Sequence, residues 1–422
     1  MKSQILNVVK RVGNNKIFSS FLNLSSIQVS NVILLIGLHS ILTRKIGEAY
    51  GMAMVANSFA ILIGIIVNYG TNQSGIKDIA LAKDNKIQRA QEFYNVLFIR
   101  ALIFIFFFGL LIFANTLDIP NYSFFFMATP LIFAEVINPL FLYIGIEKLS
   151  MFNFINVCIK IGIMLTVIFM VNGKEDAEWV NFYIGSIHII GYFVLIIYGF
   201  IKFELFPKMD SRLNYQILLK NNFYLVISSL SAHIQQSFML FAVAKWGSSG
   251  WLYAYSIGDK IIWSVRILII SVTNAIYPKA AVIYNNSREN FILMKVKYNR
   301  FIGICFGILS LTLLIFAPLI IKLYTGEFNQ TASLFLRLMS LSPLLASLNA
   351  LNIIHLLISN QNKEILKIGL FLMLTSVLIG SVVIYSQNII VIGSYAVIME
   401  LITLLYCTKI LAKHNAEFAF GK

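Results

Sequence analysis

TPLIFAEVINPLFLYIGIEKLSMFNFINVCIKIGIMLTVIF, residues Thr129 to Phe169, aligns without a gap on SPLLASLNALNIIHLLISNQNKEILKIGLFLMLTSVLI, residues Ser342 to Ile379, with Pro130 falling on Pro343. Each copy is an apolar run, a polar break and a second apolar run; the breaks are Glu147-Lys148 and Ser359 to Glu364. Each run is close to the ~20 residues that an α-helix needs to cross ~30 Å of hydrocarbon. Each copy therefore reads as a helical hairpin through a bilayer, and the hairpin occurs twice.

The rest of the chain has the same character. Of its 422 residues 59% are hydrophobic and 12% charged, against about 45–50% and about 25% in soluble domains. The mean hydropathy is +0.81. Apolar blocks such as Val96 to Ala114 and Ile189 to Ile201 are spans rather than buried core. Working outward from the hairpins gives twelve spans, at 19–42, 49–71, 91–115, 121–146, 151–172, 178–201, 217–244, 249–281, 299–324, 332–358, 365–386 and 389–412. The eighth is long, so one of its ends is expected to project or tilt.

Charge sets the orientation. With the N-terminus inside, the loops on that side hold 23 Lys and Arg, within residues 2–16, 77–89, 148, 202–220, 279–300, 363–367 and 409–422. The opposite loops hold five: Arg44, Lys45, Lys174, Lys245 and Lys322. The positive-inside rule then places both termini of a multi-pass membrane protein in the cytoplasm. The same rule explains the net charge of +15 without nucleic acid, since the basic residues are scattered over many loops. The outer loops are short, which leaves no room for an extramembrane catalytic domain. The start, MKSQILNVVKRVGNNK, is interrupted by Lys2, Lys10, Arg11 and Lys16 and reads as an amphipathic segment rather than a signal peptide.

The hairpin repeat sets span four on span ten. A second match, with a small gap, sets span one on span seven: Ser25-Ser26, Gly47 and Tyr50-Gly51 against Ser228-Ser229, Gly247 and Gly250-Trp251. An offset of six spans keeps both halves in one orientation, which implies parallel repeats about an axis along the membrane normal. The expected organisation is an all-α membrane body of twelve helices in two six-helix bundles. Residues 19–201 and 217–412 form the bundles, 1–18 an N-terminal cytoplasmic segment, 202–216 the linker and 413–422 the tail.

Charges inside spans are costly and face a partner or a cavity. Here they are Arg100, Glu135, Lys160, Asp259, Lys260, Arg266, Arg337 and Glu400. Asp259 and Arg266 are seven apart on one face of span eight, with Trp263 between them. A guanidinium can hold phosphate oxygens, and an indole can stack on a pyranose; an internal salt bridge is the competing explanation of the same stripe. Arg100, near the start of span three, is expected to snorkel. Arg337 near the outer end of span ten either snorkels or lines the cavity. Spans one and seven carry polar stripes: Asn23, Ser26 and Ser30, with Gln28, Asn31 and His39 beside them, and Ser228, Ser231 and Gln235, with Ser229, His233 and Gln236. Two equivalent polar helices argue for a wet lumen. The candidate substrate-binding set is Arg266, Lys260, Trp263, Lys160, Arg337, His233 and Gln235; the candidate cation-coupling set is Glu135, Asp259 and Glu400.

No catalytic residue, metal site or cofactor is expected. The histidines have no metal-binding spacing, no phosphate-binding loop for ATP is present, and Cys158, Cys305 and Cys407 sit in apolar runs.

The stretch LTRKIGEAYGMAMVANSFAILIGIIVNYGTNQSGIKDIA, Leu42 to Ala80, is similar to a known family. With Arg44, Gly47, Tyr50-Gly51, Asn68-Tyr69-Gly70, Ser74-Gly75 and Lys77, it resembles the bacterial polysaccharide transporters. These are the O-antigen flippases (Wzx type) of the multidrug/oligosaccharidyl-lipid/polysaccharide (MOP) exporter superfamily. The resemblance extends over the whole chain in span number, loop lengths and the two-bundle repeat. It implies translocation of an undecaprenyl-pyrophosphate-linked repeat unit from the inner to the outer leaflet of a bacterial inner membrane by alternating access through a cationic lumen, with coupling to an ion gradient left open. It implies membrane lipids, the lipid-linked oligosaccharide and the polysaccharide polymerase and chain-length regulator as partners, and it carries over no functional residue.

Two alternatives stay open. One is another branch of the superfamily, a drug/cation antiporter or a lipid II flippase; the basic lean of the intramembrane charges favours a pyrophosphate substrate over a cationic drug. The other is a membrane O-antigen polymerase or acyltransferase, against which the short outer loops speak.

Overall fold

The computed structural model describes residues 32, 34–205, 215–359 and 361–420, and every regular element among them is a helix. The N-terminal segment 1–18, the stripe Asn23, Ser26, Gln28, Ser30 and Asn31, and the linker residues 206–214 lie outside the described residues.

The helices follow the expected spans. Helix α1 is described over 34–46. Helix α2 runs as Ala49–Asn68 and Thr71–Leu81, α3 as Lys86–Ala114, and α4 as Tyr122–Met127, Thr129–Ile137 and Leu140–Gly145. Then come α5 (Leu149–Met170), α6 (Val180–Phe203), α7 (Tyr215–Trp246), α8 (Ser249–Asn286) and α9 (Arg288–Ile315). A short helix, Ala317–Thr325, leads to α10, in pieces Gln330–Met339 and Ser342–Ile358, followed by α11 (Asn362–Tyr385) and α12 (Ile389–Phe420). Among the described residues ten helices are long and apolar enough to span, and α8 counts as an eleventh across a 43° bend between Asn274 and Lys279. That bend contains Pro278, which has no N–H to continue the ladder. At 38 residues α8 is about 57 Å long and projects well past the hydrocarbon.

The expected ninth span is shifted. Its helix starts at Arg288 rather than near 299 and ends at Ile315, because Pro318 opens a new helix at its first turn.

In the N-terminal half α6 packs on α4 and α5, and α4 on α2; in the C-terminal half α7 packs on α11, α8 on α10, and α10 on α9 and α12. The halves meet where α2 contacts α7 and α8. The loops also sort as the charge count requires. At one end Lys83 pairs with Glu147 at 2.8 Å, Lys86 with Glu204 at 2.5 Å, and Arg89 donates to the Phe203 carbonyl at 2.6 Å. At the other, Lys45 donates to the Val171 carbonyl at the end of α5, 2.6 Å away, and Arg44 reaches Leu323 and Tyr324. Large apolar side chains such as Phe106, Phe169, Ile201, Leu311 and Val382 face outward, as lipid contact demands.

Candidate functional site

Two broken helices build the first half of the site. In α2, Tyr69 and Gly70 both take the left-handed conformation, with φ of 47° and 70°. A Cβ on Gly70 would also come within 2.9 Å of the Leu225 Cβ on α7, so only glycine satisfies both backbone and neighbour. In α4, Pro139 has no N–H, so the Glu135 carbonyl four residues earlier loses its helical donor. An unpaired carbonyl in hydrocarbon is costly and must find another donor.

Arg100 supplies it. Its Nη1 donates to the Glu135 carbonyl at 3.0 Å and the Asn138 carbonyl at 2.9 Å. Its Nε donates to Thr71 Oγ1 at 2.7 Å, its Nη2 to Asn72 Oδ1 at 3.0 Å, and the guanidinium carbon lies 5.1 Å from the Phe141 ring centre. Arg100 is wholly buried, so the expectation that it snorkels is wrong. A side chain on α3 joins the break of α2 to the break of α4 and is held inside by the acceptors those breaks expose.

The breaks open a cavity of about 370 Å³ between α2, α4, α6 and α7, lined among others by Asn68, Gln73, Glu135, His188, Tyr192 and Ser229. The Glu135 carboxylate is met only by long contacts from the Asn68 and Asn138 amides, each 3.5 Å, among the described residues. Arg100 is committed to its four acceptors and makes no ion pair with it.

The second half of the site gathers five of the expected residues. Gln235, Asp259, Trp263, Arg266 and Glu400 line a narrow cavity of about 50 Å³ with Tyr255 and Tyr395. Arg266 is ion-paired with Glu400 across from α8 to α12, so the salt bridge weighed for this stripe exists with a partner other than Asp259. The Gln235 amide donates to Thr403 Oγ1 at 3.2 Å. Lys260, one position round α8 from Asp259, is buried and faces His39 and His233 electrostatically.

The remaining expected residues lie elsewhere. Arg337 is exposed and lines a separate cleft with Phe328, Asn329 and Ser333. Lys160 is half-buried on α5, away from Arg266 and electrostatically coupled to His188 on α6. His233 sits at the seam: the Ser58 carbonyl of α2 is 2.9 Å from its Nε2.

The seam is pinned at both ends. At the end where Arg44 lies, Ser40 Oγ donates to the Tyr324 carbonyl at 2.7 Å, Ser249 Oγ donates to Glu48 Oε2 at 3.2 Å, and the Tyr50 and Tyr253 rings meet edge-on at 6.4 Å. Gly51 is pressed so closely on α8 that a Cβ would lie 2.7 Å from the Leu252 Cγ. At the end rich in Lys and Arg the Asn222 amide donates to Ser74 Oγ at 2.8 Å.

This arrangement of helices is found in proteins of known structure. A multidrug resistance MATE-family transporter of the MOP superfamily, in an inward-facing conformation, superposes with a TM-score of 0.71 and 14% identity, covering 92% of this chain and 98% of its own. The chain has the fold of the MOP-superfamily exporters. The lipid II flippase MurJ, in an inward closed conformation, superposes with a TM-score of 0.68 and 14% identity over 92% of this chain and 87% of its own. In sequence, the chain is 23% identical over 353 residues to a candidate O-antigen transporter of Escherichia coli (strain K12), covering 82% of this chain and 84% of the relative. No protein-family profile matches the chain. The resemblance carried by Leu42 to Ala80 thus holds at the level of fold and of this relative.

Proposed function

We propose that the protein carries an undecaprenyl-pyrophosphate-linked O-antigen repeat unit from the cytoplasmic to the periplasmic leaflet of a bacterial inner membrane, by alternating access between its two bundles. The substrate class rests on one observation, the likeness to a candidate O-antigen transporter over 82% of this chain. The seam geometry supports the transport part of the reading, with polar cavities on both sides of it and pins at both ends.

In this mechanism the polyprenyl tail stays in lipid while the head group enters the seam. The phosphates meet Arg266 and Lys260, and Trp263 packs on the adjoining sugar. In this cycle Arg266 exchanges Glu400 for a phosphate. A carboxylate left alone in so buried a place is costly, so a proton or a cation neutralises it, and its return to Arg266 resets the carrier. Coupling then follows from one arginine having two possible partners.

The test is deletion of the gene in its host. The proposal expects lipid-linked repeat units to accumulate on the cytoplasmic side and the surface polysaccharide ladder to vanish, both restored by the wild type and not by Arg266→Ala. Single repeat units at the outer surface with only long chains missing would instead indicate a step after flipping. A second reading, drug/cation antiport, is favoured by the multidrug transporter whose fold the chain shares. Drug resistance lost on deletion with an intact ladder would support it.

A further inference from the structure

We propose that the N-terminal cavity is a saccharide-binding subsite for uncharged, hydroxyl-bearing rings, separate from the phosphate-binding group on α8. The inference rests on the flippase reading for its substrate, and the chemistry of the cavity makes the assignment.

Its size, about 370 Å³, lies within the ~300–1,000 Å³ typical of small-molecule sites. Its wall is mixed: Asn68 and Gln73 from the broken end of α2, Glu135 from α4, His188 and Tyr192 from α6, and Ser229 from across the seam on α7. Amides and a hydroxyl both donate and accept, which suits vicinal hydroxyl groups that also do both. A carboxylate accepts from two such hydroxyls at once, and among the described residues the Glu135 carboxylate is held by two amides at 3.5 Å, long enough to yield to a better donor. The Tyr192 ring, edge-on to His188 at 5.8 Å, supplies apolar surface for ring C–H groups.

Charge decides against phosphate in this cavity. Among the described residues no lysine or arginine lines it; Arg100 lies outside the lining, and four of its five N–H donors go to Thr71, Asn72 and the carbonyls of Glu135 and Asn138. The cavity therefore offers an anion and neutral groups. An oxyanion placed there would meet the Glu135 carboxylate directly, with no lysine or arginine in the lining to hold it. The basic side chains of α8, Lys260 and the Glu400-paired Arg266, lie on the other half. A sugar diphosphate that bridges the seam thus has one orientation: saccharide toward α2, α4 and α6, diphosphate toward Arg266. Because Ser229 belongs to α7, saccharide in the cavity also touches both bundles, which ties its binding to their relative position.

The experiment uses the full-length protein in lipid nanodiscs and three probes: inorganic pyrophosphate, glucose 1-diphosphate and the neutral methyl glucoside. The expected result is that glucose 1-diphosphate binds about tenfold more tightly than pyrophosphate, the worth of about one good hydrogen-bonded pair. Glu135→Gln and Asn68→Ala should shrink that advantage to within about twofold, with pyrophosphate affinity unchanged, which also shows that the variants are folded. Arg266→Ala should weaken both diphosphates by the same factor and leave methyl glucoside binding as it was. An advantage that persists in both cavity variants overturns the subsite, as does no advantage in the wild type. So does a Glu135→Gln variant that loses only a sodium or pH dependence of binding, which would make the cavity an ion site. Failure of pyrophosphate to bind, with methyl glucoside binding lost in Glu135→Gln, would overturn the phosphate reading of α8 and leave the saccharide subsite standing.

Discussion

Replacing Arg100 by methionine tests the claim that one buried side chain holds two broken helices together. The substitution keeps much of the volume and removes four hydrogen bonds, two to side chains and two to carbonyls. Side-chain hydrogen bonds in membrane proteins are worth about 0.6 kcal/mol each on average. A buried carbonyl left without a donor costs about 1–3 kcal/mol. Together these predict a loss of about 3–7 kcal/mol for Arg100→Met. The claim is sharper than a stability loss, because the need for Arg100 comes from Pro139. Pro139→Ala returns an N–H four residues after Glu135, so in that background Arg100→Met should cost about 1 kcal/mol less than it does alone. The assay is SDS-induced unfolding of purified protein in mixed micelles, read by tryptophan fluorescence for the four members of the cycle. An Arg100→Met loss below about 0.5 kcal/mol, or strict additivity with Pro139→Ala, would refute the reasoning.

Three further predictions follow from the seam. Ser74→Cys with Asn222→Cys places two thiols where the wild-type side chains are 2.8 Å apart, and the disulfide should stop transport until a reductant is added; full activity in the oxidised protein would mean that the bundles do not separate there. Gly70→Ala forces a Cβ into left-handed backbone and against Leu225, and should destabilise by about 1–2 kcal/mol in the same SDS assay while slowing transport; a wild-type melt would show that α2 is not broken there. Arg266→Ala should be less stable than Arg266→Ala with Glu400→Gln, since the double variant leaves no buried unpaired carboxylate, yet neither should transport; equal stability would mean that Glu400 finds another partner.

The membrane body was legible because its signals are local and strong. Span limits follow from apolar runs, and the gathering of Lys83, Glu147, Arg89 and Phe203 at one end follows from loop charge. Both helix breaks were also written in the sequence, as Tyr69-Gly70 and as Pro139, and the orphaned carbonyl at Glu135 could have been found by counting back four residues. What could not be read was which side chain reaches it. Arg100 sits where a snorkelling arginine would, and only the packing of α2, α3 and α4 turns it inward. The same limit applies to Arg266 and Glu400, which are 134 positions apart and meet only because α8 and α12 pack around α10. Charge alone groups Lys160 and Arg337 with Arg266, and charge does not say which face of a helix looks into a cavity. The polar stripe of the first span lies outside the described residues, and its part in the lumen stays a sequence expectation.

The central claim is that this chain moves a saccharide diphosphate lipid across a bilayer, and reconstitution tests it most directly. Purified protein in sealed proteoliposomes would be supplied with a fluorescent lipid-linked saccharide diphosphate, and exposure of the label to a membrane-impermeant quencher followed in time. The account predicts that wild type moves the label between leaflets faster than empty liposomes do, and that Arg266→Ala matches the empty liposomes. Label movement equal in wild-type and empty liposomes, while the same vesicles export an organic cation, would contradict it.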